Sequence, residues 1–231
     1  MQEPYKRVGS FRCQCECFSV PRSMIKVIVI GSSGVGKTCF VRTFKNGTGS
    51  TLPTNPPATI GMDVFFKKVN LDGENVVLDI WDTSGEEKYC SQLLSNTFRN
   101  ADGVIIMYDT TRHHTFREVN YWTDHAKCAS SNDNLILFLV GNKADKESSR
   151  EVAPTDARKL AKSLHMEFYE ASSFEIQTVD DIFMNIAKKC VGVAAKAALS
   201  LQHNSNSSTP EVSMRLTDTP KEQKVPWYKK C

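Results

Sequence analysis

No apolar stretch in the 231 residues approaches the roughly 20 that a membrane-spanning helix needs. The N-terminus lacks the apolar segment of a secretory signal, which predicts a chain that is not exported. An excess of one charge sign is missing too. With 29 basic and 26 acidic residues the net charge is +3, which predicts no special affinity for nucleic acid. No internal repeat recurs, so repeat architectures are excluded. Eight cysteines are present, but they are scattered rather than spaced as a disulfide framework. Cys39, Cys90, Cys128 and Cys190 read as free thiols. The triplet Cys13-Gln14-Cys15-Glu16-Cys17 has no fourth ligand nearby to complete a metal cluster. It reads as part of a disordered tail, with acylation of one thiol as the alternative. Apolar residues at 40% and charged residues at 24% are ordinary for a globular domain.

What is there begins with Gly31-Ser32-Ser33-Gly34-Val35-Gly36-Lys37-Thr38, which fits the pattern GxxxxGK[ST]. It follows directly on the short, β-branched run Met24 to Ile30, and the residues after it read as a helix. A chance Gly/Ser turn is the bland alternative, and the strand in front argues against it. Strand, glycine-rich loop and helix in this order let successive backbone N–H groups wrap a polyphosphate, with the helix dipole adding to the attraction. Gly34 and Gly36 permit backbone geometry and approach that a Cβ would obstruct. Lys37 is placed to reach the β- and γ-phosphates, and the Thr38 hydroxyl to hold Mg²⁺.

Three segments are predicted: a flexible extension over 1–22, a globular domain over 23–198, and a flexible tail over 199–231 rich in Ser, Asn, Thr, Pro and Lys. Strands are predicted at 24–30, 62–69, 76–82, 103–109, 135–141 and 167–171. Helices are predicted at about 37–46, 115–128, 154–164 and 179–198, with a shorter one near 90–99. This alternation predicts an α/β fold, a mostly parallel six-stranded sheet with helices on both faces. The stripe Val179, Ile182, Phe183, Ile186, Ala187 and Cys190 would pack the last helix on the sheet.

Four more motifs follow, at strand ends or in loops beside them, where open α/β sheets bind ligands. They are Thr59-Ile60-Gly61, Trp81-Asp82-Thr83-Ser84-Gly85, Asn142-Lys143-Ala144-Asp145 and Glu170-Ala171-Ser172-Ser173. With the phosphate loop they complete the five guanine-nucleotide motifs in order. Over roughly residues 22–195 the chain resembles a Ras-superfamily small GTPase, and most resembles the Rab branch. The Rab likeness rests on Ile60-Gly61-Met62-Asp63, Ile80-Trp81-Asp82-Thr83, Phe98-Arg99-Asn100-Ala101-Asp102 and Met107-Tyr108-Asp109-Thr110-Thr111, each similar to a Rab signature without matching it fully.

The Asp145 carboxylate can accept from the guanine N1–H and exocyclic amine, a donor pair that adenine lacks. The resemblance supplies the other roles. Asn142 would contact the purine edge, the Lys143 stem would lie over the base plane, and the Ser173 N–H would address the guanine O6. The nucleotide site would comprise Gly31, Ser32, Ser33, Gly34, Val35, Gly36, Lys37, Thr38 and Cys39, then Thr59 and Gly85, then Asn142, Lys143 and Asp145, and finally Ala171, Ser172 and Ser173. Mg²⁺ would be held by Thr38, Thr59 and Asp82. Thr59 and Gly85 would offer N–H groups to the γ-phosphate only with GTP, so that hydrolysis releases both loops. Lys37, Thr59, Gly85 and Glu86 would form the catalytic group. An effector surface would use Val64, Trp81 and Phe98, an exposed apolar patch in which Val64 stands where the family has Phe.

Three features depart from the family. Glu86 stands where a Gln orients the attacking water. The carboxylate loses the amide donor and adds negative charge, which predicts slow intrinsic hydrolysis. The loop between Lys37 and Thr59 is longer than usual, and no aromatic lies between Phe44 and Phe65 to cover the guanine edge. Leu52, beside Pro53, Pro56 and Pro57, is the nearest apolar candidate. Either nucleotide exchange is fast, or the longer loop repacks and supplies another cover. Finally, the chain ends in a single Cys231 behind Lys229 and Lys230, an incomplete prenylation signal that leaves lipidated and unmodified forms open.

Two function classes stand: a GTP/GDP switch in membrane traffic at the cytosolic face of an intracellular membrane, with effector, exchange-factor and activating-protein partners, and a constitutively GTP-bound scaffold. An ATP-dependent kinase or transporter ATPase shares the phosphate loop, but Asp145 argues against it.

Overall fold

Apolar runs that lack alternation become strands buried on both faces. The computed structural model describes residues 24–47, 61–83 and 97–204, with side chains to 197. The run from Met24 forms β1 (Met24–Gly31), and Gly103–Asp109 forms β4, buried along its whole length. β2 (Met62–Leu71) and β3 (Glu74–Thr83) pair antiparallel; β5 (Ile136–Asn142) and β6 (Glu167–Ala171) complete the set. The helices are α1 (Lys37–Asn46), α2 (His113–Arg117), α3 (Val119–Ala129), α4 (Pro154–Ser163) and α5 (Ile176–Asn204).

Among the described residues six strands form one sheet in the order β2-β3-β1-β4-β5-β6, parallel except for β2. Strand order reverses at β1, which therefore opens a crevice at its carboxyl end. Two apolar layers cover the sheet. Val27, Val29, Ile105 and Phe138 face α1 and α5, where Phe44 stacks on Phe183 with ring centroids 4.1 Å apart. Ile28, Ile30, Val104, Ile106 and Leu139 face the other way, against Trp122 of α3 and Ala157 of α4.

Several boundaries differ from expectation for local reasons. β2 and β3 run two residues further toward each other, because Asp72 (φ 52°) and Gly73 (φ 98°) close a tight hairpin. The Asn70 side chain accepts from the Gly73 N–H at 3.1 Å and braces that turn. The helix expected at 115–128 is two, α2 and α3, divided at Glu118. α5 begins at Ile176 and continues to Asn204, past the expected 198, through the strong helix formers Ala194, Ala195, Ala197 and Ala198. Of the helix expected near 90–99, only Thr97 and Phe98 fall within the described residues, and both are helical. Among the described residues no helix is long and apolar enough to cross a membrane.

Candidate functional site

β1 delivers the chain to the sheet's carboxyl edge at Gly31, where the loop turns against β4. A Cβ on Gly31 would sit 2.2 Å from the Met107 carbonyl oxygen. Gly36, at φ 99°, starts α1, and a Cβ there would lie 2.3 Å from the Asn142 amide nitrogen. Both positions demand glycine.

The loop's carbonyl groups are held by side-chain donors. The buried Lys37 ammonium donates to Gly31 O (2.7 Å) and Ser32 O (3.1 Å). Lys143 Nζ donates to Gly34 O at 3.0 Å, and Asn142 Nδ2 to Val35 O at 2.8 Å. A loop whose carbonyl groups are engaged in this way can offer its N–H groups to an anion.

Asn142 also gathers the other two loops. Its Oδ1 accepts from the Ser173 N–H and the Ser173 hydroxyl, each at 3.1 Å. The Thr43 hydroxyl of α1 donates to Ser173 O at 2.5 Å, and the Ala144 N–H to Ala171 O at 3.1 Å. The segments containing Gly31–Thr38, Asn142–Asp145 and Ala171–Ser173 are thus fastened to one another, although they are far apart in sequence. Asp145 is exposed beside them, its carboxylate open to a ligand. Cys39, in the first turn of α1, is half-buried, and burial pushes its thiol up.

Asp82 ends β3 almost fully buried. Burial raises its carboxyl from an ordinary 3.8 to about 6, against the opposing pull of a Thr38 hydrogen bond and the Lys37 charge. One oxygen, Oδ1, has no hydrogen-bond partner among the described residues. A buried carboxylate with an unused oxygen next to a threonine hydroxyl is a hard-oxygen donor set that fits Mg²⁺. Thr59, Gly85, Glu86 and Cys231 lie outside the described residues, as do Cys13, Cys15, Cys17 and Leu52.

The expected effector patch needs one correction. Val64 is 38% exposed and sits opposite Trp81 on the neighbouring strand, while Trp81 is half-buried with the Lys26 ammonium 3.8 Å from its ring. Phe98, however, is fully buried among Ile28, Ile30, Val104 and Trp122. It is a core residue under α3, not a surface one. Alternation along β2 instead sets Met62 and Phe66 on the same face as Val64, at 40% and 64% exposure. Sequence reasoning passed over these two, although the run Met62-Asp63-Val64-Phe65-Phe66 on an edge strand carried the signal. It also passed over Asp109, quoted only inside a signature segment. That carboxylate is buried at the end of β4 and binds the Lys143 ammonium at 2.7 Å.

The sequence profile of the Ras family matches residues 26–192. Ras-related protein Rab-30 of Homo sapiens is 36% identical over 176 residues, which cover 76% of this chain and 84% of that protein. Its counterpart in Mus musculus has the same values. Ras-related protein RABE1d of Arabidopsis thaliana is 36% identical over 166 residues, covering 71% of this chain and 74% of that protein. The fold, the fastened loops and these relatives agree that the chain belongs to the Ras family of small GTPases and is most similar to its Rab branch.

Proposed function

We propose that this GTPase is a guanine-nucleotide switch of membrane traffic whose own hydrolysis is slow. The observation that carries the reading is the glycine-rich loop joined through Asn142 to the segment of Ser173. Gly31, Ser32, Ser33, Gly34, Val35, Gly36 and Lys37 hold the phosphates; Asn142, Lys143 and Asp145, with Ala171, Ser172 and Ser173, hold and select guanine. Thr38, Thr59 and Asp82 would hold Mg²⁺, which would supply positive charge to neutralise the phosphates. Thr59 and Gly85 take hold of the γ-phosphate in the GTP state. Their release after hydrolysis changes the surface that effectors meet, which includes Val64 and Trp81.

Glu86 limits the chemistry. It accepts a hydrogen bond from water but has no amide donor to place at the developing charge. Loss of one such group costs ~10²–10³ in rate. Glu86 also favours a second reading, a scaffold that stays GTP-bound until an activating protein supplies the missing group. Cys231, behind Lys229 and Lys230, provides the membrane contact if it carries a lipid.

Single-turnover GTP hydrolysis by the full chain, wild type against Glu86→Gln, tests the reading. The expected result is near-background turnover in wild type and a gain of about tenfold or more in the variant. Wild-type turnover equal to the variant's would discard Glu86 as the limiting residue.

A further inference from the structure

Four carbonyl groups of the phosphate loop, Gly31, Ser32, Gly34 and Val35, are held by Lys37, Lys143 and Asn142. The carbonyl between them, Ser33 O, accepts from a residue outside the nucleotide motifs: Arg112, whose Nη2 lies 3.3 Å away. Arg112 precedes α2, in the segment that follows β4. A Cβ built on Gly34 would come within 3.1 Å of the same nitrogen, so the guanidinium also packs against Gly34.

Arg112 is itself held. Its Nε donates to Asp109 Oδ2 at 2.8 Å, the oxygen that also binds Lys143 Nζ at 2.7 Å. Asp109 Oδ1 accepts from the Thr111 N–H (2.9 Å) and hydroxyl (2.7 Å). Burial pushes the Asp109 carboxyl up, but the hydrogen bonds from Lys143, Thr111 and Arg112 outweigh it and leave it below the usual carboxylate range. Asp109 therefore stays charged and fixed. Further along the same segment, the Glu118 carboxylate accepts from the Ser32 hydroxyl. The segment from β4 to α3 thus grips the outer rim of the phosphate loop at two adjacent residues.

The grip matters because the peptide between Ser33 and Gly34 has the freedom to rotate. Gly34 has φ 73°, and glycine moves between signs of φ at little cost. Rotation would withdraw the Gly34 N–H from the inner side and turn a carbonyl dipole toward an anion there. A donor bound to Ser33 O opposes that rotation.

We propose that Arg112 is a positioning residue for nucleotide retention: anchored on Asp109, it holds the Ser33 carbonyl outward, keeps the Gly34 N–H toward the phosphates and so slows release of the nucleoside diphosphate. The inference rests on the reading of residues 31–38 as a phosphate site.

The test is dissociation of a fluorescent GDP from the full chain, chased with excess unlabelled GDP, for wild type, Arg112→Ala, Arg112→Gln and Arg112→Lys. Arg112 is about one-third exposed, so its hydrogen bonds are discounted for screening, and Arg112→Ala should speed release by about three- to tenfold. Arg112→Lys should recover part of the loss, because it keeps charge and a donor but not the fork. Arg112→Gln should stay closer to Ala, because its shorter side chain carries no charge to pair with Asp109. Thermal unfolding of the nucleotide-free proteins should fall only slightly in Arg112→Ala and Arg112→Gln, because Asp109 keeps Lys143 and Thr111. Release within twofold of wild type in Arg112→Ala overturns the inference while leaving the nucleotide site standing. So does equal acceleration in all three variants with a matching loss of thermal stability, which marks general loosening. Failure of the wild type to bind GDP at all removes the phosphate-site reading, and the inference with it.

Discussion

Asp82, proposed as a magnesium ligand, ties metal binding to acidity and stability. In the magnesium-free, nucleotide-free protein its folded-state value is about 6, raised mainly by burial above the ordinary 3.8. A carboxyl raised in the folded state favours folding while protonated. Its contribution is present in full below 3.8 and is lost as pH rises through about 6. Magnesium reverses the sign, because only the carboxylate ligates. The thermal midpoint of wild type minus that of Asp82→Asn, which cannot titrate, should therefore fall between pH 4 and 6.5 without magnesium. With magnesium and GDP that fall should disappear, because a ligating carboxylate loses its contribution only below the ordinary 3.8. A flat difference without magnesium would show that Asp82 does not titrate in this range, and an unchanged fall with magnesium that it does not meet the metal.

Elements decide which side chains are surface and which are core. Phe98 and Val64 were expected on one patch, yet Phe98 is buried between the sheet and α3. Truncating a fully buried phenylalanine removes transfer free energy and leaves a cavity, so Phe98→Ala should cost about 3–5 kcal/mol in chemical denaturation. Val64→Ala, on the open face of an edge strand, should stay within about 0.5 kcal/mol and act only on partner binding. Similar costs for the two would contradict their different burial. The β2 face with Met62, Val64 and Phe66 is where apolar exposure concentrates on this edge of the sheet. Sequence periodicity identified β2 as a strand but not which of its faces is covered, since that depends on which strand lies at the edge. The Asp72-Gly73 turn was not singled out in the sequence, and the strands predicted on either side of it stop two residues short.

For the whole molecule, a ligand that fastens three loops should stabilise the fold by mass action. A nucleotide at a thousandfold excess over its Kd adds about 4 kcal/mol. GDP with magnesium should raise the thermal midpoint by several degrees, and ADP at the same concentration should not. An equal shift with ADP would discard Asp145 as the base-selecting group. The loops joined at Asn142 make this a property of the assembled sheet. The phosphate segment, the base segment and Ser173 belong to different strands, and the parallel order brings their carboxyl ends to one edge.

The sequence by itself determined the family, the order of strands and helices, and the residue types at the nucleotide motifs. Those are local demands: glycines where a Cβ would strike Met107 or Asn142, a lysine and a threonine at a helix start, and a carboxylate three residues after Asn142. Tertiary structure alone decided that Phe98 is core, that Met62 and Phe66 lie exposed beside Val64, and that Asp109 joins Lys143 to Arg112. The physical reason is distance along the chain. A motif states what one segment's backbone and side chains require. Which carboxylate meets which cation across 34 residues, or which face of a strand meets a helix, depends on packing that exists only once the sheet has formed.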